Sequence, residues 1–525
     1  MSWDTFRRMS EPAIPLRIGR NEDFAQLRAL LDEAGFAEAS VCGVLGIEAI
    51  SEVGSANPAG VTFSAVQPPV LGLLIRIFLL LESVPVDEVE QLIDPVTLKS
   101  LLELDVLRND VARGRERYHA SVLVAPVSGF YVASDRHTEP DGSLRPPFSD
   151  VVFPALWVGT LRFLRAIPKS RAHAGLDLCS GSGVAGLMLS KCTERVAACD
   201  ITARAVHFAD FNRRLNRCVN VEALEGDLYR AVEGRVFDRI VAHPPYMPSL
   251  SSTMTFRDGG ETGEAIIQRI VESLPRYLEP GGMFCAVTAG ADVTAAPFER
   301  RVREWLGDFH HEFDIVFAQS SELSSERLTT QLVNRSPDAA PSERSRWQDI
   351  FRRTGMQQLV YGALVINRRR QRESDIPDTA EPWTTRVQMS AATDGSCFEW
   401  AFRWHDWYRR KSAAGQVVAT LESVTPCLAP DLRVRVTHVV RDKSLAPEDF
   451  VLETERPFFA ETRIEPWMAS LLALCDGASK VSEGYDRARE AEIIPNSFTL
   501  SDFVMLLAKM IERGYVVVPD SIFEG

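Results

Sequence analysis

Disulfide pairs, zinc-ligand clusters, excess basic charge and a bilayer-length apolar run are all missing from this chain. Nine cysteines (Cys42, Cys179, Cys192, Cys199, Cys218, Cys285, Cys397, Cys427 and Cys475) lie scattered, with no C-x-x-C pair. That pattern suits reduced thiols in a cytosolic protein better than a disulfide framework or a zinc site. Lys and Arg number 58 against 72 Asp and Glu, a net charge of −14. Such a balance argues against a surface that clings to nucleic acid. The opening stretch MSWDTFRRMSEP has no apolar core of the signal-peptide kind. The most apolar run, residues 70–81, is too short to span a bilayer and contains Arg76, so it reads as a buried helix. His310, His311 and His405 read as surface or core histidines. The expectation is a cytoplasmic protein with no membrane partner and no bound metal.

What is present is ordinary globular material: 525 residues, 45% hydrophobic and 25% charged, enough for about three domains. Apolar spacing predicts helices over residues 24–36, 71–81, 86–93 and 96–107. Strands follow over 119–124 and 129–133. The last three helices and the hairpin have the order of a winged helix. The third of them, TLKSLLELDVL, offers only Lys99 as a base, so the unit reads as a cap on the next domain and not as a reader of DNA. Residues 135–150 read as a polar loop. An amphipathic helix over 153–164 stands where it can cover a ligand pocket.

From 172 to about 370, strands and helices alternate, the signature of an α/β fold with a parallel sheet. Strands are expected at 196–199, 221–224, 238–242, 282–288, 313–318 and 358–367. Helices are expected at 203–216, 263–277 and 297–306. Residues 320–345 read as a surface insertion and 371–390 as a linker. After it, strands are expected at 398–407, 417–421, 434–440 and 515–518, and helices at 467–474, 488–490 and 502–513. The architecture is thus a winged-helix-like helical domain (1–134), an α/β domain of Rossmann-like kind (135–370), a linker, and an α+β domain (391–525).

The chemistry gathers on AGLDLCSGSGVAG at residues 174–186. Gly181, Gly183 and Gly186 fit G-x-G-x-x-G, a turn also found in dinucleotide-binding proteins. Four strand ends narrow the choice. Asp177 ends the first strand, before the glycines, where a carboxylate can accept from an α-ammonium group. Asp200 ends the second, where it can grip both hydroxyls of a ribose. Asp227 ends the third, within reach of the exocyclic amine of an adenine. His243, Pro244, Pro245 and Tyr246 end the fourth. An amino acid, a ribose and an adenine in a row describe S-adenosylmethionine. The candidate cofactor-binding set is Asp177, Cys179, Gly181, Gly183, Asp200, Ile201, Asp227, Leu228 and His243. A nicotinamide-dependent oxidoreductase is disfavoured by the acid at Asp177 and by the Pro–Pro pair.

With these residues in hand, 172–370 resembles a class I S-adenosylmethionine-dependent methyltransferase. More narrowly it is similar to the HemK/PrmC-like family, which N-methylates glutamine. The matching residues are D-L-x-x-G-S-G at 177–183, the acid at Asp200, and Arg204, Ala205, Asn212 and Asn216. The Gly226–Asp227 pair, the N-P-P-Y position at 243–246, RDGGETG at 257–263 and LEPGG at 278–282 match as well. The resemblance implies S-adenosylmethionine as cofactor and a peptide, protein or peptide-like acceptor. It also implies catalytic roles for His243, Pro244 and Tyr246. In the family an Asn side chain and the carbonyl of the next residue accept from the substrate NH₂, and the Tyr stacks on it. This chain departs at His243. A histidine can accept one hydrogen bond or take a proton. It therefore admits a small-molecule O- or N-methyltransferase with His243 as base, and it makes glutamine in a release factor a less favoured acceptor. The alternative is a tolerated replacement, with the Pro244 carbonyl doing the positioning. A cofactor-sensing winged-helix regulator is the remoter alternative.

Overall fold

The computed structural model of the protein describes residues 13–112, 115–146, 148–250, 254–334, 341–370, 381–495 and 497–524. Residues 1–12, part of the expected insertion (335–340) and half of the expected linker (371–380) lie outside them. Two compact units divide the chain. The first takes Met1–Leu164, Arg171–Gly307 and Leu323–Leu359, and the second Arg165–Ser170, Asp308–Glu322 and Val360–Gly525.

In the first unit, helix Asn21–Glu33 buries Phe24, Leu27 and Leu31, the spacing of one helical face. Helix Pro69–Leu74 continues as the π-helical turn Ile75–Leu79 with nearly every apolar side chain buried. No single helix among the described residues is long and apolar enough to cross a membrane. Next come β1 (Val84–Pro85), helices Val86–Leu92 and Pro95–Glu103, β2 (Leu107–Ala112) and β3 (Arg115–Ala120). The three strands pair antiparallel in the order β1-β3-β2. The carboxylate of Asp94 caps the second helix, accepting from the N–H groups of Val96 at 2.9 Å and Thr97 at 3.1 Å.

Instead of one hairpin there are two. The strand expected over 119–124 breaks at Ser121, whose N–H donates to the Val106 carbonyl and whose hydroxyl donates to the Pro15 carbonyl at 3.1 Å. So β3 pairs with β2, while β4 (Val122–Val127) pairs with β5 (Phe130–Asp135). Residues 107–112, expected next to the end of a helix, supply β2.

Five strands then make the sheet of this unit: β6 (Ala172–Leu178), β7 (Thr193–Asp200), β8 (Val221–Glu225), β9 (Phe237–Ala242) and β10 (Leu278–Val293). All run parallel, in the order β8-β7-β6-β9-β10. The chain winds outward from β6 to β8, then restarts on the other side with β9. Open α/β sheets bind ligands at the carboxyl ends of their strands where the winding reverses; here that point lies between β6 and β9. Asp177 stands in register with Ala198 on one side and Val241 on the other. Helices Val184–Leu189, Ala203–Leu215 and Ala265–Tyr277 belong to the connections.

β11 (Phe313–Ser324) and β12 (Met356–Arg368) follow. Between them the expected surface insertion is corrected: helices Ser325–Asn334 and Pro341–Thr354 occupy it. They bury Leu328, Leu332, Trp347, Ile350 and Phe351, a helical apolar spacing diluted in sequence by charge.

The second unit holds β13 (Thr384–Gln388), which pairs parallel with β11. Two expected strands are helices. Residues 398–407 lie in helix Gly395–Ala413, whose start is capped by Asp394 accepting from the Ser396 N–H at 2.9 Å. Residues 417–421 are helix Val417–Leu421. Aromatic and β-branched residues suggested strands there. The 3–4 spacing of Phe398, Ala401, Phe402, Trp404 and Trp407 places them on one buried helical face. A core of Trp404, Trp407, Leu421, Val504, Ile511 and Tyr515 packs beside two sheets. One pairs β14 (Cys427–Leu428) with β18 (Val516–Val517); the other is an antiparallel trio of β15 (Arg433–Arg441), β16 (Ser444–Thr454) and β17 (Ala460–Ile464).

Candidate active site

The strand-end acids are held by the turns around them. Asp177 is 1% exposed, and its Oδ2 accepts the Gly186 N–H at 2.8 Å. Burial pushes its carboxyl up to about 8, because a charge so far from water is costly. Asp200 accepts the Gly181 N–H at 2.9 Å on one oxygen and the Thr202 N–H at 3.1 Å on the other. Burial raises its pKa too. Asp227 is met by Arg269, whose Nη2 lies 2.7 Å from its Oδ2; the motifs carry no signal for this partner. Two non-glycine residues in this set take left-handed backbone, Cys179 at φ +57° and Leu228 at +52°, a conformation that persists only where the surroundings impose it. Burial drives the Cys179 thiol well above its ordinary range, so the sulfur is a neutral part of the wall.

Behind the turn, Gly183 starts helix Val184–Leu189 at φ +76°. A Cβ there would stand 2.8 Å from the Ala209 Cβ, so helix Ala203–Leu215 can press against the turn only because position 183 is glycine. Asn212 locks the same contact. Its Nδ2 donates to the carbonyls of Ala133 at 2.9 Å and Ser182 at 2.8 Å, and its Oδ1 accepts from the Ala133 N–H at 2.8 Å. Asn216 binds Tyr131 N–H and C=O on β5 in the same way. Arg204 pairs with the buried Asp135, Nε to Oδ2 at 2.8 Å, and Asp135 also accepts the Val152 N–H at 2.8 Å. The sequence brought Arg204, Asn212 and Asn216 into view without a task; they fasten β5 and the Val152 segment to helix Ala203–Leu215.

At the end of β9 the His243 ring sits between Phe163, 5.2 Å away, and Tyr246, 5.9 Å away. Its Nε2 is buried with no hydrogen-bond partner among the described residues. Burial lowers its pKa to about 4, so the ring is neutral at pH 7. The next loop folds back onto this strand end. The Gly259 N–H donates to the Met247 carbonyl at 2.8 Å, and the Met247 N–H to the Arg257 carbonyl at 2.9 Å. A Cβ at Gly263 (φ +83°) would meet the Tyr246 carbonyl oxygen at 2.3 Å, so glycine is what lets the loop close on Tyr246.

One cleft of ≈ 710 Å³ collects these groups: Asp177, Cys179, Gly181, Asp200, Ile201, Asp227, Leu228, His243, Pro244 and Tyr246 all line it. Its size is that of a small-molecule site. Gly183 is the one sequence-predicted residue absent from the lining; it stands behind the turn. Sequence reasoning did not anticipate Phe153, Trp157, Phe163, Phe256, Arg257 and Arg269 in the same cleft. Only the amphipathic stretch before β6 hinted at the first three, although its helix is Val158–Ala166, with Phe153 and Trp157 ahead of it. Among the described residues no group of His, Cys, Asp and Glu is arranged to hold a metal ion, and all nine cysteines are free.

Residues 154–305 match the family described as the methyltransferase small domain. This part of the chain is similar to class I methyltransferases of HemK/PrmC-like kind. The chain is similar to a Methanocaldococcus jannaschii protein bearing the name putative protein N5-glutamine methyltransferase, 35% identical over 115 residues, which are 21% of this chain and 57% of that one. It is also similar to the release factor glutamine methyltransferase of Thermodesulfovibrio yellowstonii, 31% identical over 121 residues (21% of this chain, 43% of that one). The ribosomal protein uL3 glutamine methyltransferase of Bradyrhizobium diazoefficiens is 26% identical over 165 residues (28% and 51%). The chain thus spans about half the length of the curated relatives it matches.

Proposed function

We propose that the chain is an S-adenosylmethionine-dependent methyltransferase that N-methylates a peptide, protein or peptide-like acceptor. One observation carries this: the acids ending β6, β7 and the turn after β8 open into the same cleft as His243–Tyr246 at the end of β9. The residues fit the cofactor. It is cationic at sulfur and at its α-ammonium, and the cleft offers the carboxyls of Asp177, Asp200 and Asp227. The buried Ser180 Oγ and His243 Nε2, both without protein partners among the described residues, also fit a ligand that brings hydrogen-bonding groups. In this reading Asp177 takes the ammonium, Asp200 the ribose hydroxyls, and Asp227 the adenine amine on the oxygen that Arg269 leaves free. Bound there, the cofactor supplies an activated methyl group on a sulfonium.

The chain's own residues then have mainly to position the acceptor. A neutral His243 offers one lone pair to an acceptor N–H, the Pro244 carbonyl offers another, and Tyr246 covers the planar group. Because burial holds the ring near 4, it is a weak base at neutral pH, which favours positioning over proton removal. The first 134 residues serve as a winged-helix-like cap, a reading that the β1-β3-β2 order and the preceding helices support. The protein is read as cytoplasmic.

The test is methyl transfer from tritium-labelled S-adenosylmethionine by the full chain to a defined pool of glutamine-containing peptides. Label that enters peptide and leaves as methylamine on acid hydrolysis is the expected result. Label that never enters peptide, although the chain binds S-adenosylhomocysteine, overturns the peptide acceptor.

A further inference from the structure

The cleft carries two tiers of aromatic rings, and the proposed chemistry uses only the deeper one, Phe163–His243–Tyr246. The outer tier is a ladder of three. Phe153 stacks on Phe256 at 5.2 Å with planes 13° apart, and Trp157 lies 5.4 Å from Phe153. The rings come from two segments, one before β6 and one after Tyr246, tied together by the Thr255 N–H donating to the Ser149 carbonyl at 2.9 Å. Phe153 remains 43% exposed and Trp157 50%. Large rings left open beside a cleft are the mark of a surface meant to be covered. Of the charges on the loop that carries Phe256, Arg257 is matched by Asp258, Nε to Oδ1 at 2.8 Å. The rim therefore suits an apolar occupant better than a charged one.

We infer that Phe153, Trp157 and Phe256 form an acceptor subsite that takes a large apolar or aromatic side chain next to the methylated residue. This rests on the methyltransferase reading and deepens it: the acceptor is a peptide with a bulky neighbour, not a glycine-flanked glutamine. The acids of the cofactor side lie at the ends of β6 and β7 and in the turn after β8. The ladder instead includes a ring of the loop that leaves Tyr246, on the acceptor side of the cleft.

The test compares two probes on the full chain loaded with S-adenosylhomocysteine: N-acetyl-tryptophanyl-glutamine amide and N-acetyl-glycyl-glutamine amide. The tryptophan probe is expected to bind at least about tenfold tighter. Phe256→Ala and Trp157→Ala are each expected to bring the two probes within about twofold while keeping wild-type affinity for S-adenosylhomocysteine. If a variant fails to fold, the wild-type preference still decides. Equal binding of the probes, or binding of neither while S-adenosylhomocysteine binds, overturns the subsite. Variants that fold but lose S-adenosylhomocysteine assign the rings to the cofactor and overturn it as well. A wild-type chain that does not bind S-adenosylhomocysteine removes the methyltransferase reading itself, and the subsite with it.

Discussion

Asp177→Asn isolates the carboxyl that the Gly186 N–H holds beneath the glycine turn. The asparagine keeps an oxygen for the Gly186 N–H, 2.8 Å away in the wild type, but it never ionises. The wild-type carboxyl stands at about 8 in the folded chain, against 3.8 ordinarily. Between those values the folded protein holds a proton that the unfolded chain has lost. Unfolding free energy therefore falls as pH rises through this window, by at most roughly 1.4 kcal/mol per pH unit and roughly 6 kcal/mol in all. Asp177→Asn lacks this slope. A cation in the cleft favours the carboxylate and expels the proton. For a ligand whose α-ammonium stays charged below about pH 7.7, affinity should climb close to tenfold per unit from about pH 5.5 to about 7.5. Titration calorimetry with S-adenosylhomocysteine, in buffers of contrasting ionisation enthalpy near pH 6.5, reads this as about one proton released per ligand. The release disappears in Asp177→Asn. Wild-type binding with no proton release and no pH dependence refutes the reasoning.

Three further perturbations follow from the geometry. Gly183→Ala puts a Cβ 2.8 Å from that of Ala209 at φ +76°, and left-handed strain plus overpacking should cost roughly 2–5 kcal/mol in urea denaturation; a loss under about 1 kcal/mol counts against the packing role. Arg204→Ala strands the buried Asp135 carboxylate and should destabilise by roughly 3–5 kcal/mol, with Arg204→Met/Asp135→Leu recovering part of it, read from the denaturation midpoint. For His243, Asn should sustain turnover, whereas Phe should lower it about a hundredfold or more with S-adenosylhomocysteine affinity kept. With cofactor and acceptor saturating at every pH, wild-type turnover should show no step near pH 6.5 and should decline only as the ring protonates toward about 4; a step near 6.5 under those conditions shows the ring to be solvated.

The part of the site that was legible in the sequence is the part built from neighbours in sequence. Asp177 and the glycines are one turn, Asp200 closes β7, and Asp227 and His243 follow just after β8 and β9. Parallel strands of one sheet bring such ends together without further information. Contacts between distant segments were not legible. Nothing local pairs Arg269 with Asp227, stacks Phe153 on Phe256, or reveals that Asn212 spans Ala133 and Ser182. The misread elements have a local cause. Trp404 and Trp407 have strand propensity but sit at helical spacing behind the Asp394 cap, and burial of that face overrode propensity. In 325–354, Leu328, Leu332, Trp347 and Phe351 were hidden among Ser, Arg and Glu. Ser121 looks like part of a continuous strand until the carbonyls of Val106 and Pro15 claim it.

Whether the strand-end acids form a cofactor site is decided by one titration. The full chain should bind S-adenosylhomocysteine and ignore NAD, and Asp200→Ala, which removes the carboxylate held by the Gly181 and Thr202 N–H groups, should weaken binding by about a hundredfold. Binding of NAD instead, or S-adenosylhomocysteine affinity unchanged in Asp200→Ala, contradicts it.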